Sequence, residues 1–461
     1  MNIASLNRMA LAAWLFGIIG SSNVFAGNQN QIPKAPESGT TVSCRSQIEF
    51  QGQVTLYSVE NNSTSGLPLS VRSVQAFDQI TIDDTNALRK YATATAKISI
   101  DGKESDNELS ETNRQIALRV NDAEFNRPVQ YFSTGGMLKQ AERDLLLTPA
   151  DLISVQYVVE HSTFKEGEEW KPEDRAVQAF LSLDNVIENK LKVSVKEITD
   201  NVAKLYITGD ATGEVDGSQT ALRVVAVCLV DLENQFVSAF RGTLNENRSP
   251  SQLAPGFVGA IKIDAKSQVK NAKSLTDDVI KKVSTQIANK QNTRMLWNSD
   301  SEFELLYDPK WKVILSDTDV VIMRYSERGS LLAQCNVLRL PKRPEGKPLK
   351  LKEFRTQLEK TVLGEAEATI KSTQELRTAT GMRALQVVVS GVQEEVPIHW
   401  IYYHLSNDEG RCAAVVLTIE DELLNSFGNA DQKLLESIRF TERKRQAQVT
   451  DETAPLPVIK R

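Results

Sequence analysis

The chain has 461 residues, of which 41% are hydrophobic and 25% are charged, and its formal net charge is -6. This composition is typical of a folded protein with two or three domains, and disorder is expected only at the ends. A mildly acidic chain without a basic cluster is a poor match for nucleic acid or an anionic membrane, so neither is a predicted partner.

The first 26 residues have the pattern of a secretory signal peptide. Arg8 precedes an apolar run, Met9–Gly20, and Val24 and Ala26 occupy the small-residue positions before the predicted cut. The apolar run is shorter than the roughly twenty residues that span a bilayer, and a buried N-terminal helix is the disfavoured alternative. We therefore predict cleavage after Ala26, no membrane span after cleavage, and an exported protein that is periplasmic or extracellular.

A flexible lead-in is predicted over the polar residues 27–40, followed by a β-rich domain over 41–265. Apolar and polar residues alternate with a period of two in this domain, most clearly over Ala92–Ile100. The pattern predicts a few helices among strands, with a division into two subdomains near 147.

Two helices and one connection are predicted within the first domain. Gly136–Leu147 and Pro172–Leu183 are predicted helices, with Thr148–Asp151 as a stop and restart after the first of them. The glycine-containing segment Gly209–Gly217 is predicted to be a turn-rich connection between two strands.

A helix is predicted over 274–293, where Leu275, Val279 and Val283 recur at helical spacing. It would connect the first domain to a second one. Whether this helix packs on either domain is left open by the sequence.

The stretch Ala384–Glu420 reads as three consecutive antiparallel strands. Tight turns are predicted near Glu394–Glu395 and Asn407–Gly410. A helix is expected directly afterwards, at Asp431–Ile438, and an amphipathic helix before the strands, at Leu349–Leu363.

The order of these elements resembles the PsbP/Mog1-like fold family over 301–440. An opening strand with a Tyr-x-Pro-x-Trp type ending is matched by Phe303–Trp311, and the strands and helices that follow match in order and spacing. The resemblance implies an α/β/α sandwich around an antiparallel sheet and a non-enzymatic protein that binds or assembles with other proteins. Residues 441–461 are predicted to be a disordered tail.

The first domain carries short motifs at Glu166–Trp170, Gly209–Gly217 and Arg248–Gly256. In these motifs it resembles uncharacterised exported proteins of planctomycete type, a likeness that implies no activity. The expected fold class is therefore α+β, with a β-rich N-terminal domain with few helices, a connecting helix and the sandwich.

Four cysteines lie in a chain that is expected to reach an oxidising compartment, so they are candidates for disulfides. None lies in a CxxC motif, and two fall in each half of the chain. The pairing that respects the domains joins Cys44 to Cys228 and Cys335 to Cys412. Four buried free thiols are the alternative.

A candidate binding site lies around His399–His404. Strand alternation places Trp400, Tyr402 and His404 on one face and His399 on the other, so the two histidines are not expected to share a metal ion. Aromatic packing on the sheet is the simpler reading, and a ligand groove lined by Trp400, Tyr402 and His404 is the functional one.

Two further clusters are more typical of ordinary surface and turn chemistry. His161 lies near Glu166 and Glu168, a common surface arrangement, and a metal or general-base role is disfavoured. Asp210, Glu214 and Asp216 do not have the spacing of a calcium loop. No metal or other cofactor is predicted.

The chain carries no GxSxG, P-loop, GxGxxG or HExxH motif, and it contains three histidines. We therefore expect a non-enzymatic factor of the cell envelope that binds a protein partner or a small ligand, or that acts in assembly. The alternative is a carboxylate-dependent envelope hydrolase with its site in the N-terminal domain.

Overall fold

The computed structural model describes residues 40–441 except for gaps at 59–62, 84–85, 121–128, 162–163, 200, 252–253, 271–274, 276–279, 281–294, 299–302, 309, 317–319, 328–329, 362–367 and 394. Residues 1–39 and 442–461 are therefore not described, and the predicted signal peptide, most of the lead-in and most of the tail lie there. Among the described helices, none is long and apolar enough to cross a membrane.

Thirteen antiparallel strands form the first sheet, in the order β6-β5-β3-β2-β1-β13-β12-β11-β10-β9-β7, with β4 on β3 and β8 on β10. Their bounds are β1 Thr41–Ser58, β2 Ser63–Asp83, β3 Asn86–Ile100, β4 Lys103–Glu108, β5 Gln115–Val120, β6 Val129–Ser133, β7 Glu169–Trp170, β8 Asn185–Asn189, β9 Lys192–Thr199, β10 Val202–Val215, β11 Ser218–Asp231, β12 Phe236–Arg248 and β13 Gly256–Val269.

Strict alternation in these strands gives the sheet one buried face and one solvent-facing face. In β11, for example, Leu222 and Val224 are buried whereas Arg223 and Val225 are exposed. Three helices cover the buried face, α1 Gln140–Leu146, α2 Leu152–Val159 and α3 Asp174–Leu181. The main core lies between them and the strands, and contains Leu146, Val158 and Phe180 together with side chains such as Phe50, Ile261 and Phe240.

The predicted connection at Gly209–Gly217 is wrong, because β10 runs without interruption to Val215 and only Asp216 and Gly217 form the turn. The glycines of this strand serve close backbone approach. A Cβ atom at Gly209 would lie 2.2 Å from the carbonyl oxygen of Lys190, and one at Gly213 would lie 2.2 Å from that of Asn185.

Seven antiparallel strands form a second sheet, in the order β16-β17-β18-β22-β21-β20-β19, and a small sheet has the order β14-β15-β23. The bounds are β14 Met295–Asn298, β15 Phe303–Tyr307, β16 Trp311–Ser316, β17 Val320–Glu327, β18 Ser330–Leu340, β19 Ala368–Arg377, β20 Arg383–Gln393, β21 Val396–Ser406, β22 Cys412–Glu420 and β23 Arg439–Phe440. The three strands predicted within Ala384–Glu420 are confirmed.

Short helices lie against both faces of the second sheet. One face packs on α5 Leu424–Phe427 and α6 Ala430–Leu435, in a core that includes Phe427, Leu434 and Val415. The other face carries α4 Leu351–Thr361, which contacts β19 and β20. Phe354 of α4 also lies close to His404 at one end of β21. Much of the rest of that face is left uncovered by the described helices.

The two sheets meet through buried polar groups. Lys312 of β16 forms an ion pair with Asp216, at the turn between β10 and β11, and both side chains are almost fully buried. Gln140 of α1 accepts hydrogen bonds from the Tyr307 hydroxyl, at 3.2 Å, and from the backbone N–H of Val313, at 3.3 Å. These contacts attach the small sheet and the first strand of the second sheet to the first domain.

The predicted α+β class, with an α/β/α sandwich reached through a helical connector, is wrong. The structure is mostly antiparallel sheet, with 63% strand and 15% helix. The reason is visible in β1, where Gly52 pairs with Leu69 of β2 and with Gly259 of β13. Because both neighbours continue the ladder, short polar interruptions do not end the strand. Of the predicted connecting helix, only Leu275 and Ile280 are described, and they pack on the first sheet.

Candidate binding face on the second sheet

Strand β21 places the predicted site residues as the alternation required. Trp400, Tyr402 and His404 share one face, and Tyr403 points to the other. Tyr403 is buried, and its hydroxyl donates a 2.6 Å hydrogen bond to Asp431 of α6. Its role is therefore structural. Trp400 and Tyr402 are only half-buried, and desolvation raises the pKa of the Tyr402 hydroxyl.

His404 lies at the covered end of this row. Its ring is 5.9 Å from the ring of Phe354 in α4, and the residue is buried. Desolvation, together with the charge of Arg343, lowers the pKa of His404 to about 4. The imidazole is therefore neutral at pH 7 and closes one end of the site.

The strand register extends the Trp400 face across three neighbouring strands. Trp400 lies opposite Thr418, which lies opposite Gln334, and the next row runs from Tyr402 through Val416 to Asn336. Gln334 in turn lies opposite Arg324. All of these side chains are half-buried. We call this surface the open face and define it by Arg324, Gln334, Asn336, Trp400, Tyr402, Val416 and Thr418.

Two features border the open face. On one side, α4 packs on β20, where Leu385, Val387 and Val389 are buried and the sheet surface is no longer accessible. On the other side, Lys312 lies opposite Arg324 and is held by Asp216 of the first domain. The open face is thus a trough floored by β17, β18, β22 and β21.

Arg324 is the feature of this trough that the sequence did not reveal. Among the described residues, its guanidinium has no hydrogen bond or ion pair, and its Nε atom is buried. Desolvation lowers the pKa of Arg324 without a carboxylate to oppose it. The signal available in the sequence was a cation on an alternating strand, which is normally a solvated residue.

The four cysteines are free thiols, and all four are buried. The strand register keeps both expected pairs apart, because β13 and β12 separate Cys44 from Cys228, and Cys412 lies opposite Leu340 rather than Cys335. Burial raises the pKa of the Cys228 and Cys335 thiols, so these side chains behave as apolar core residues.

The remaining histidines make local contacts. His161 stacks on Trp170, with 4.5 Å between ring centroids, and its Nε2 lies 3.0 Å from Glu168. His399 Nε2 lies 2.6 Å from Asp421, on the opposite side of β21 from Trp400. Among the residues that the structure describes, these contacts contain no hydroxyl or thiol group.

The acidic residues of the Gly209–Gly217 segment are not brought together. Asp210 pairs with Arg223 on the solvent-facing side of the first sheet, with 2.8 Å between the side chains. Asp216 is buried at the junction with Lys312, and its backbone N–H donates to Asp184 at 2.7 Å. These carboxylates do not form a common ligand set.

Arg89 and Asp151 form a buried pair that sequence analysis missed. The guanidinium makes two 2.6 Å hydrogen bonds to the carboxylate, which also accepts from the N–H of Ile153 and so caps α2. Burial alone would raise the pKa of Asp151, but Arg89 outweighs it and the pKa is lowered. The carboxylate is therefore committed to holding α2 on the sheet.

Comparison with known proteins does not identify a family. No family model matches the chain, and no curated protein matches it. Among solved structures, the chain is similar to PA94 of Pseudomonas aeruginosa, a protein of unknown function, at 10% identity and a TM-score of 0.22, over 31% of this chain and 94% of that one. The two family resemblances stay predictions.

Two further structures are similar over about half of the chain. The likeness to lipovitellin has 8% identity and a TM-score of 0.29, over 51% of this chain and 26% of that one. The likeness to the Tle4–Tli4 complex has 10% identity and a TM-score of 0.20, over 47% and 74%. Scores this low carry no argument about fold or function.

Proposed function

We propose that the protein is an exported, non-enzymatic binding protein of the cell envelope, and that it holds a ligand or a protein partner on the open face. The observation that supports this most directly is the half-buried pair Trp400 and Tyr402, which shares one sheet face with the amide side chains of Gln334 and Asn336, with β22 between them. Aromatic side chains with accessible polar neighbours are typical of recognition surfaces.

The solvent-facing side of the first sheet offers a contrast. Its charges are matched across the strands, as in Arg241 with Asp264 and Arg223 with Asp210. In pairs of this kind the two charges offset each other at the water-exposed surface, so neither is left uncompensated for a ligand.

The alternative, a carboxylate-dependent hydrolase in the first domain, has less support. Asp151 is held by Arg89, and Asp216 is held by Lys312, so both carboxylates are buried and paired. A general acid or base needs access to its substrate and a free proton site.

Export is tested first, by N-terminal sequencing of the protein recovered from the native host's envelope or medium. We expect the mature chain to begin at Gly27, because the small residues before it fit a signal-peptidase site. Recovery of the chain in the cytoplasm with Met1 intact would contradict the proposed location.

Binding is tested by placing a photo-crosslinking amino acid at Trp400 of the full chain in its native host. The matched control carries the same group at Val225, which is exposed on the solvent-facing side of the first sheet. We expect a discrete adduct from position 400 and none from position 225. Equal or absent adducts at both positions would argue against a binding role for the open face.

A further inference from the structure

We infer that the open face binds an oligosaccharide that carries carboxylate groups, with Arg324 pairing with a carboxylate and Trp400 stacking on a sugar ring. This inference rests on the proposed function and specifies its ligand class. Three properties of the trough support it: its charge, the chemistry of its floor and its position within the sheet.

The charge of the trough is unbalanced at Arg324. Other buried cations of the structure face a carboxylate, Arg89 with Asp151, Arg248 with Glu246 and Lys312 with Asp216. Arg324 has no such partner among the described residues, and a second cation, Lys312, lies directly opposite it on β16. Asp216 offsets the charge of Lys312, so the guanidinium of Arg324 is the charge that remains without a described counter-charge. An anionic ligand would relieve this arrangement, and a guanidinium is suited to a planar carboxylate.

The floor of the trough is polar near Arg324. Gln334, Asn336 and Thr418 supply amide and hydroxyl groups, each of which can both donate and accept hydrogen bonds. Such groups can form hydrogen bonds with the many hydroxyls of a sugar chain. They disfavour a lipid acyl chain, because it would displace their hydrogen-bonded water and offer no hydrogen bonds in its place.

Trp400 lies at the far side of the floor. Three strand spacings separate β17 from β21, so Arg324 and Trp400 stand about 14 Å apart across the sheet. This span suits a short oligosaccharide rather than a single sugar. The indole presents a flat apolar surface with a polar edge, to which the C–H face of a sugar ring is complementary.

The position of the trough argues against an extended peptide. Peptides commonly add to a sheet through its edge, where backbone groups are free. The strands β18, β22 and β21 are interior strands whose backbone groups pair with neighbours on both sides. A ligand here must therefore be recognised through side chains alone.

The test is calorimetric titration of the mature chain, residues 27–461, with three probes of matched length. These are tetragalacturonate, its methyl ester and tetraglutamate. We expect binding of tetragalacturonate, with affinity reduced about 10- to 100-fold for the ester and for Arg324→Gln, as for the loss of a charged hydrogen bond. The control variant, Arg241→Gln, changes an exposed arginine of the first sheet and should bind as the parent does.

A second measurement separates binding from a structural role of the arginine. Because Arg324 has no partner, Arg324→Gln should leave the melting temperature unchanged or raise it. A lowered melting temperature would assign Arg324 to folding and would overturn the inference.

Three results of the titration would overturn the ligand class: no binding of tetragalacturonate, equal binding of the ester, or tetraglutamate binding at least as tightly. The crosslinking at Trp400 tests whether the open face binds a partner, separately from the class of ligand. A specific adduct there without binding of acidic sugars would leave the binding face supported and reject the oligosaccharide, whereas failure of both experiments would reject both.

Discussion

At the scale of single residues, the main contrast is between buried charges that have a partner of opposite charge and those that do not. Arg89 is fully buried against Asp151, whereas Arg324 is half-buried without a counter-charge among the described residues. Burying a charge is costly unless it is paired and hydrogen-bonded. The fold thus accounts for the first residue, and the second is the basis of the proposed ligand site.

For the buried pair, we expect Arg89→Met to lower the free energy of unfolding by about 3–5 kcal/mol, because Asp151 would remain buried without a partner. Urea denaturation measures the change. The double variant Arg89→Met/Asp151→Leu should recover part of the loss, since no charge then remains buried. A single variant as stable as the parent would show that the pair does not hold α2 on the sheet.

His404 predicts a pH dependence of stability. Its pKa in the folded protein is about 4, and that of an unfolded histidine is about 6.5. Unfolding therefore takes up a proton between these values, and the free energy of unfolding falls as the pH falls from about 6.5 to 4.

The measurement compares the parent with His404→Phe, which keeps an aromatic ring against Phe354. Urea denaturation at pH 7 and at pH 5 should show a smaller loss on acidification in the variant. Equal losses would mean that His404 does not contribute, because the carboxylates common to both proteins cancel in the comparison.

At the scale of elements, the long strands of the first sheet depend on places where two backbones approach closely. Gly209 in β10 is the clearest, with φ of +134° and the carbonyl of Lys190 where a Cβ atom would stand. Both the backbone conformation and the contact exclude a larger side chain there.

We expect Gly209→Ala to destabilise the protein by about 1–3 kcal/mol, as judged by urea denaturation. Gly66→Ala is the matched control on β2, since its Cβ would meet only the flexible side chain of Gln53, and it should change stability by less than about 1 kcal/mol. Similar effects of the two changes would refute the role assigned to Gly209.

At the scale of the whole molecule, the junction of the two sheets decides whether they unfold together. Lys312 and Asp216 are nearly inaccessible to solvent, and Gln140 links α1 to the small and second sheets through Tyr307 and Val313. Because Lys312 also borders the open face, the first domain forms part of the wall of the proposed site.

Differential scanning calorimetry of Lys312→Met tests this coupling. We expect a loss of about 3–5 kcal/mol in stability and a transition that separates into two, because Asp216 would be left buried without its cation. Lys310→Met removes a partly exposed pair between the turn before β16 and Glu327 of β17, and should leave one transition. A single unshifted transition for Lys312→Met would contradict coupling through this pair.

The sequence by itself determined the local features of the second sheet. The turns that bound β20, β21 and β22 and the faces of Trp400, Tyr402 and His404 follow from turn-forming residues and from the period of two. Helices α1, α3 and α4 were predicted to within a few residues from helical spacing and helix-end signals. The bounds of α2 were not predicted, although it begins directly after the restart predicted at Thr148–Asp151.

Only the tertiary structure decided the fold class, the interruption-free strands and the charge of the trough. The length of a strand depends on whether both neighbouring strands continue to pair with it, as at Gly52. Which strands pair cannot be predicted from local composition. Likewise, Arg324 becomes unusual only when β16, β17 and β18 are side by side, because a missing counter-charge is a property of space rather than of sequence spacing.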